Sequence, residues 1–586
     1  MTPAWLEVID HRLRDQVRSA WERFTRAPLE PLPRSRTLAL VGHRAAGKSS
    51  LLQHLKGLTG RQAFDLDDVI ARRAGRDLRE WVRSDEPSFR AAERDAFLSL
   101  PRGALVAVGG GFLSHHGALL LDAVAALVPI SFETYRERLL QDTTRPRLRP
   151  RLTLEDELQT LYEERTHTHA RVGTRSVAEV FARAAVPPRA ARVVTLPPGQ
   201  ELRHAAFVAR RAGAEWLEVR SDLHPQSLDL RPAARVLPVL VAERGTPLSP
   251  AWLEAARLVD REAVGQSLVS LHATAPLSTE EALRVWDRDV GAAQVKHVEP
   301  LGSPRAAARL FETQARLIER FGAERVTVLA TGPMALPFRA LLARKNALDY
   351  LAFSPTWAAA PGQRLLADAV REHRAGAPAR PRLGILGHPV AHSRSPSIHP
   401  QPFDRVELPP DADVGELLDA LHPHYAGFAV TSPFKGPVAR HVGASLAAVN
   451  TLARTASGWA FDNTDVEGAQ AALRKLHAKS VTVLGDGGAA VAVRLAAEKL
   501  GVRLEHLAQR DAREVSGAAL WTWPPHVSPP PALRFAGGPV AVIAYGEPAR
   551  VVARRIRERG GVPVFTGARW FVTQARAQRK LWERAT

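Results

Sequence analysis

There is no cysteine anywhere in the 586 residues. That absence excludes disulfides, thiolate metal sites and cysteine nucleophiles. A membrane-length apolar run is also missing. The longest, Ala118 to Ile130, is interrupted by Asp122 and is too short for a bilayer. The N-terminus carries charges throughout and has no signal-peptide core. Nor is there a block of like charge: the formal net charge is +19, yet the basic residues are spread along the chain, mostly as arginine. No nucleic-acid tail is indicated by that distribution, whereas small anions would be attracted over long range. The expectation is a cytoplasmic chain acting on small molecules, away from membranes, with nucleic acid disfavoured and a homodimer left open.

The length predicts three or four domains, and 45% hydrophobic with 24% charged residues is ordinary for a globular protein. Near the middle, SLVSLHATAP and AAQVKHVEP are short apolar runs. Each carries one polar group where a buried strand would continue with Val, Ile or Leu: His272 and Lys296. An ammonium in a low-dielectric wall tends to lose its proton, which makes the amine nucleophilic. Such a lysine can form an imine with a carbonyl, and a nearby imidazole can then move protons at adjacent carbons. Taken alone, the pair reads more simply as a strand-end lysine reaching solvent beside a core histidine.

Residues 1–36 read as a helical leader and linker, with Thr2-Pro3 as the cap and Leu6, Ile9, Leu13, Val17, Trp21 and Phe24 at helical spacing. The strand TLALVG then runs into GHRAAGKSS. Gly42 to Ser49 fits the G-x-x-x-x-G-K-[ST] phosphate loop, in the strand-to-helix setting that the mechanism needs. Gly42 and Gly47 shape the loop, Lys48 reaches the terminal phosphates, Ser49 can ligate magnesium, and Ser50 follows in the helix. Further on come Asp65 and Asp67 in FDLDDVI, Arg90 in SFRAAE, Gly110 and Gly111 in VAVGGGF, Arg145 in TTRPRL and Arg165 in EERTHTHA.

In this order the motifs over residues 37–185 resemble shikimate kinase. The resemblance implies that Asp65 helps hold Mg2+ and that Asp67, Arg90, Gly110, Gly111 and Arg165 bind shikimate. Arg145 would lie in a lid over ATP. The family's usual tyrosine four residues after the last arginine is His169 here.

From 190 to 372, strand-like and helix-like stretches alternate, which suggests parallel βα units. Glu218, Arg220 and Asp222 in WLEVRSDL lie two apart, so a strand would place them on one face. With Arg244, His272, Lys296, Arg339 and Gln363 of APGQ, this stretch resembles type I 3-dehydroquinate dehydratase, a (β/α)8 barrel, here trimmed. The resemblance makes Lys296 the Schiff-base residue and His272 the proton carrier. Arg339 and Gln363 would hold the substrate with Glu218, Arg220 and Arg244. Three positions depart: Leu248 stands where the family has the glutamate that orients the histidine, and Phe338 and Ala359 replace serines.

After the Arg/Ala/Pro-rich REHRAGAPARPR come Ser393 and Ser395 in HSRSPS, Thr431 and Lys435 in VTSPFKG, Asn450 in AAVNTL and Asp465 in FDNTDVEG. A lysine and an aspartate from separate loops can act as a proton-transfer pair, or simply pair at a surface. The order resembles shikimate dehydrogenase, with a substrate lobe at 382–478 and a Rossmann lobe at 479–586. It implies Lys435 and Asp465 as the catalytic pair, and Ser393, Ser395, Thr431, Asn450 and Gln574 as shikimate ligands. VTVLGDGGAAVAV supplies the dinucleotide turn: Gly485, Gly487, Gly488 and Ala490. Arg510 near the following strand's end favours NADP(H) over NAD. Ala429 and Pro400 replace asparagines usual in the family.

Together the three resemblances match the C-terminal three domains of the pentafunctional arom polypeptide. The implied fold is α/β multidomain: a P-loop kinase domain, a (β/α)8-type barrel and a two-lobed dehydrogenase. The implied chemistry is dehydration of 3-dehydroquinate, reduction to shikimate and phosphorylation by ATP. Two alternatives stay open. One is a quinate- or shikimate-sensing regulator related to the same domains; the other is a mixed protein with an impaired dehydratase domain.

Overall fold

The computed structural model describes residues 3–26, 29–142, 147–291, 293–354, 357–374, 381–391, 393–507 and 513–585. The chain divides into two compact units, Met1–Ala379 and Arg380–Thr586. Thr2, Arg145, Arg510 and residues 375–380 of the second linker lie outside the described residues.

The first unit opens on a 3-10 turn, Ala4–Val8, and a helix, Arg14–Arg26, in place of one continuous leader helix. The break has a local cause. Asp10 accepts from the Arg12 amide through its carboxylate (3.0 Å) and from the Leu13 amide through its carbonyl (3.0 Å). Its carboxylate also takes the Ser131 amide (2.7 Å), so it ties the segment to the cap of helix Phe132–Gln141. Trp5 stacks on Phe181 at 4.1 Å, and Leu6, Ile9 and Val17 join the core on one face of the first sheet.

That sheet is parallel, with strands β1 Leu38–Val41, β2 Ala63–Asp65, β3 Leu105–Ala107, β4 Val124–Leu127 and β5 Arg175–Ser176 in the order β2-β3-β1-β4-β5. Apolar layers cover both faces, as the continuous runs LALV and LVA require. Helix starts follow the expected cap chemistry: Ser131, Thr153 and Ser176 each accept an amide three residues on.

Eight parallel strands follow in chain order: β6 Ala191–Thr195, β7 Trp216–Arg220, β8 Val239–Ala242, β9 Leu258–Arg261, β10 Leu268–His272, β11 Gln294–Pro300, β12 Val326–Thr331 and β13 Leu348–Leu351. Each pairs with the next up to β12, and β13 pairs back with β6. At the seam between β12 and β13 the described residues form no ladder. The Ala347 amide bonds the Val326 carbonyl at 2.7 Å, and the Leu348 amide bonds Thr327 Oγ1 at 3.0 Å. The sheet is therefore a nearly closed barrel, with Val193, Trp216, Leu240, Leu268 and Leu348 filling its interior. Among the described residues, helices follow every strand except β9. Only residues 262–267 link β9 to the parallel β10, where a crossover normally takes a dozen or more residues. The trimming expected from the sequence is this one missing helix.

The two sheets of the first unit meet at the N-terminal ends of their strands. Asp122, before β4, accepts from Arg102, before β3, and from Arg257 Nε, before β9, at 3.0 Å. Glu215, before β7, pairs with Arg189 at 2.5 Å and Arg36 at 3.5 Å. Glu30 pairs with Arg189 at 3.0 Å and Arg192 at 2.5 Å. Arg61 is buried and donates to the carbonyls of Gly103 (2.9 Å) and Pro33 (2.5 Å). The phosphate loop and the barrel mouth both lie at the opposite, C-terminal strand ends.

The second unit has two lobes. Its first sheet runs β15-β14-β16-β17-β18, built from β14 Leu383–Gly387, β15 Phe403–Glu407, β16 Gly427–Val430, β17 Thr451–Thr455 and β18 Gly458–Asp462; the last two strands are antiparallel. Its second sheet is wholly parallel, in the order β20-β19-β22-β24-β25. Those strands are β19 Ser480–Leu484, β20 Arg503–Leu507, β22 Ala518–Trp521, β24 Pro539–Val542 and β25 Val562–Phe565. A small ribbon joins β21 Glu514–Val515 to β23 Arg534–Phe535. This is a doubly wound Rossmann-type lobe, so the chain as a whole is an α/β multidomain protein. No helix among the described residues is long and apolar enough to cross a membrane.

Burial would raise the Asp122 and Glu215 carboxyls, but the surrounding arginines outweigh it and hold both below the ordinary carboxylate range. Asp122→Ala leaves two arginines unpaired at a largely buried joint and should cost about 3 kcal/mol in denaturant melts. Because both folded pKa values are depressed, their stabilisation is complete above about pH 4 and is lost as pH falls below it. An acid melt of the full chain should show the joint opening in that range.

Candidate functional sites

Gly42 is a glycine for a geometric reason. Its φ is +143°, and a Cβ there would lie 2.7 Å from the Val128 carbonyl oxygen. The loop it starts turns Lys48 back onto itself, with Nζ donating to the carbonyls of Gly42 (3.0 Å) and His43 (2.7 Å). Ser49 Oγ donates to Asp65 Oδ2 at 2.6 Å, so a hydroxyl and a carboxylate stand together at the loop's exit. Two hard oxygen donors so placed suit Mg2+.

A cavity of about 510 Å3 opens above the loop, lined among others by Ser50, Asp67, Arg90, Gly110 and Arg165. A Cβ on Gly110 would come within 3.2 Å of Arg165 Nη1, and one on Gly111 within 3.2 Å of Arg90 Nη2. The predicted residues of this domain thus converge, apart from the undescribed Arg145. Arg90 is held by Glu93 (3.0 Å) and Glu86 (2.8 Å). Burial pushes the Asp67 carboxyl up to about 6, with repulsion from Asp65 and Glu93 adding to it. Burial likewise brings Arg165 down to about 10. His169 lies 4.8 Å from the His43 ring, and Thr166 Oγ1 lies 3.2 Å from His43 Nε2. Burial takes His43 down to about 3 and His169 to about 4, so both rings are neutral links between the loop and the helix carrying Arg165.

In the barrel, Lys296 and Ser270 are register partners on β11 and β10, and His272 follows on the same face about 7 Å further along. Lys296 is buried, and burial lowers its amine below the ordinary lysine range while Asp260 opposes that shift. Asp260 Oδ2 sits 2.7 Å from Lys296 Nζ and 2.6 Å from Arg244 Nη2. Glu218 Oε1 is 3.9 Å from the same amine, and Lys296 lies over the Tyr350 ring at 4.2 Å. Arg339 is buried and donates to the Tyr350 carbonyl at 3.2 Å; burial takes it to about 10. Arg220 pairs with Asp222 at 2.6 Å and reaches the Ala359 carbonyl at 3.3 Å. Gln363 Oε1 holds the same loop through the Ala359 amide at 2.8 Å. β7 ends at Arg220, so Asp222 sits in the following turn.

Sequence reasoning missed Asp260 and Tyr350. The signal for Asp260 was present in LVDRE, where it alternates with outward-facing neighbours on a short strand, but without a helix after it the segment did not read as a βα unit.

In the second unit, Lys435 and Asp465 each open a helix, and Lys435 Nζ lies 2.5 Å from Asp465 Oδ2. Trp570 Nε1 donates to Asp465 Oδ1 at 3.1 Å, and Gln574 lies one turn further along that helix. Ser393 Oγ and Ser395 Oγ are buried 3.3 Å apart. Asn450 Oδ1 takes the Thr464 amide at 2.7 Å and so braces the turn that presents Asp465. Thr431 follows β16 at the same strand ends. A Cβ on Gly488 would lie 3.1 Å from Lys435 Cδ, so the dinucleotide turn abuts the pair. Gly485 has φ +121°, and a Cβ there would strike Thr522 Oγ1 at 2.6 Å. Gly487 precedes the helix Gly488–Leu500, where Ala490 is buried. A helix start stripped of Cβ atoms in this way fits a pyrophosphate.

A family model described as shikimate kinase matches residues 44–186. The chain is 34% identical over 163 residues to "Shikimate dehydrogenase (NADP(+))" of Thermosynechococcus vestitus, covering 24% of this chain and 56% of that protein. It is 35% identical over 150 residues to the protein of the same name from Anaeromyxobacter sp. (strain K), covering 22% and 52%. The chain spans about half the length of the curated relatives it matches. Among solved structures, "Dehydroquinate dehydratase and shikimate dehydrogenase from S. pombe AroM" is 18% identical with a TM-score of 0.27, over 68% of this chain and 96% of that one. Shikimate 5-dehydrogenase from Thermus thermophilus is 22% identical with a TM-score of 0.30, over 35% and 93%.

The Asp67 carboxyl should titrate near pH 6 in a carbon-detected NMR experiment, since it is charged only above that value. Glu93→Gln removes one of the repelling charges and should move that midpoint down; a midpoint left unchanged would contradict the crowded-carboxylate account.

Proposed function

We propose that this chain is a multifunctional shikimate-pathway enzyme, related to the last three domains of the arom polypeptide. In this reading a kinase occupies 37–185, a dehydratase 190–372 and a dehydrogenase 382–586. The observation that carries it is one chain holding three chemically different constellations. They are a phosphate loop facing Asp67, Arg90 and Arg165, a buried amine beside Asp260 and His272, and a Lys435–Asp465 pair against a dinucleotide turn.

In the barrel, burial favours the neutral Lys296 amine, which attacks the substrate ketone and forms an imine with loss of water. His272 takes the proton from the adjacent carbon. It then gives a proton to the departing hydroxyl, which leaves as water, and hydrolysis of the imine frees Lys296. Arg339, Arg220, Arg244, Glu218 and Gln363 orient the ring. In the dehydrogenase, NADPH would supply the hydride when bound at Gly485, Gly487, Gly488 and Ala490, and the sequence assigns Arg510 to its ribose. Lys435 and Asp465 deliver the proton to the developing alkoxide, and Ser393, Ser395, Thr431, Asn450 and Gln574 hold the carboxylated ring. In the kinase, Lys48 and the loop amides would hold ATP, with Arg145 the lid residue that the resemblance implies. Ser49 and Asp65 would hold Mg2+, and Asp67 would bind shikimate with Arg90, Gly110, Gly111 and Arg165.

A second reading, with an impaired dehydratase, is favoured by Leu248. It packs in the outer apolar layer with Trp252 and offers no carboxylate to His272.

The pure chain incubated with 3-dehydroquinate, NADPH, ATP and Mg2+ should yield shikimate 3-phosphate. Binding of all ligands without turnover would mark a sensor instead. Borohydride with dehydroquinate should trap an adduct on Lys296, and labelling at another residue would end the imine proposal. Lys435→Ala should abolish NADP-linked turnover and leave ATP use intact; losing both would contradict independent sites.

A further inference from the structure

We propose that Glu262 is a positioning residue for His272 and takes the part that Leu248 cannot. The inference rests on the dehydratase reading of the barrel. Glu262 Oε1 accepts the His272 backbone amide at 3.0 Å and lies 3.1 Å from His272 Nδ1. One carboxylate oxygen therefore fixes both the backbone and the ring of the same residue. With the Nδ1 proton donated to Glu262, the imidazole keeps Nε2 as its free base. His272 shares a strand face with Ser270, the register partner of Lys296, so proton transfer there needs a basic Nε2.

The backbone explains how Glu262 gets there. Asp260 points into the barrel toward Lys296, and Arg261 turns outward to Glu243 at 2.9 Å. Glu262 follows just past the strand end, exposed, where its carboxylate meets His272. The abbreviated 262–267 connection departs from that point, and Arg288 Nη1 anchors the Glu262 carbonyl at 3.2 Å. At an exposed site an ion pair contributes little to stability. The contribution here is orientation, so it should register in turnover more than in folding.

The test compares the full chain with Glu262→Ala and Glu262→Gln in dehydration of 3-dehydroquinate. Shikimate phosphorylation by the same samples serves as the folding control, and borohydride trapping reads imine formation. Loss of an orienting partner typically costs about 10–100-fold. Glu262→Ala should therefore lower kcat by about that factor with KM nearly unchanged. The Lys296 adduct should still form and kinase turnover should be intact. Glu262→Gln, which keeps an acceptor oxygen, should recover part of the loss. Dehydration by Glu262→Ala within twofold of the parent overturns the positioning role, as does a parallel loss of kinase turnover. If the parent chain itself neither dehydrates the substrate nor forms an adduct, the dehydratase reading fails and this inference with it.

Discussion

A charged amine inside a closed sheet must be neutralised or solvated, and Lys296 is buried among Asp260, Glu218, Arg244 and Tyr350. The net pairing is what makes the barrel interior tolerable. Asp260 serves two cations at once, at 2.7 and 2.6 Å, so one carboxylate sets the positions of both Lys296 and Arg244. The strand that delivers it is only four residues long, and its register with β10 aligns Asp260 with Leu268. A one-residue slip would turn Asp260 to the helix layer and leave the amine bare. The chemistry of the barrel thus depends on the pairing of its shortest-linked strand.

The same constraint governs the joint between the first two sheets. Glu30, Asp122 and Glu215 are each clasped by at least two arginines, and Arg61 is satisfied by main-chain carbonyls. Arginine suits this work because its planar fork serves several acceptors and keeps its charge when buried. Some of the chain's basic excess is therefore structural, which composition alone could not reveal. The dispersed arginines looked like a general surface charge because their carboxylate partners are far away in sequence: Arg257 and Asp122 are one such pair.

Where function rides on contiguous residues, the sequence was readable. The phosphate loop, the glycine-rich turn before Phe112 and the dinucleotide turn each combine a strand, a tight turn and a helix start within a dozen residues. The alternating Glu218 and Arg220 of β7 and the single polar groups of β10 and β11 are equally plain, although Asp222 falls in the turn after β7. The absent helix after β9 hides Asp260, because a strand followed directly by another strand breaks the βα pattern. The leader was harder too. Its apolar spacing is helical, but Asp10 breaks it by accepting the Arg12 and Leu13 amides, and Asp10 is fixed there by Ser131 and Thr134, distant contacts no local pattern encodes. Trp570 against Asp465 is hidden for the same reason: it spans the whole nucleotide lobe.

The back-to-back joint of the first unit has a consequence for traffic. The barrel floor is set against the neighbouring sheet through Asp122 and Glu215, and the barrel mouth lies at the far, C-terminal strand ends. The phosphate-loop cavity faces the other way. A molecule passing from one opening to the other would travel around the outside of the unit. Under the proposed function, linking the two would hold the second opening close enough to raise its local supply of substrate.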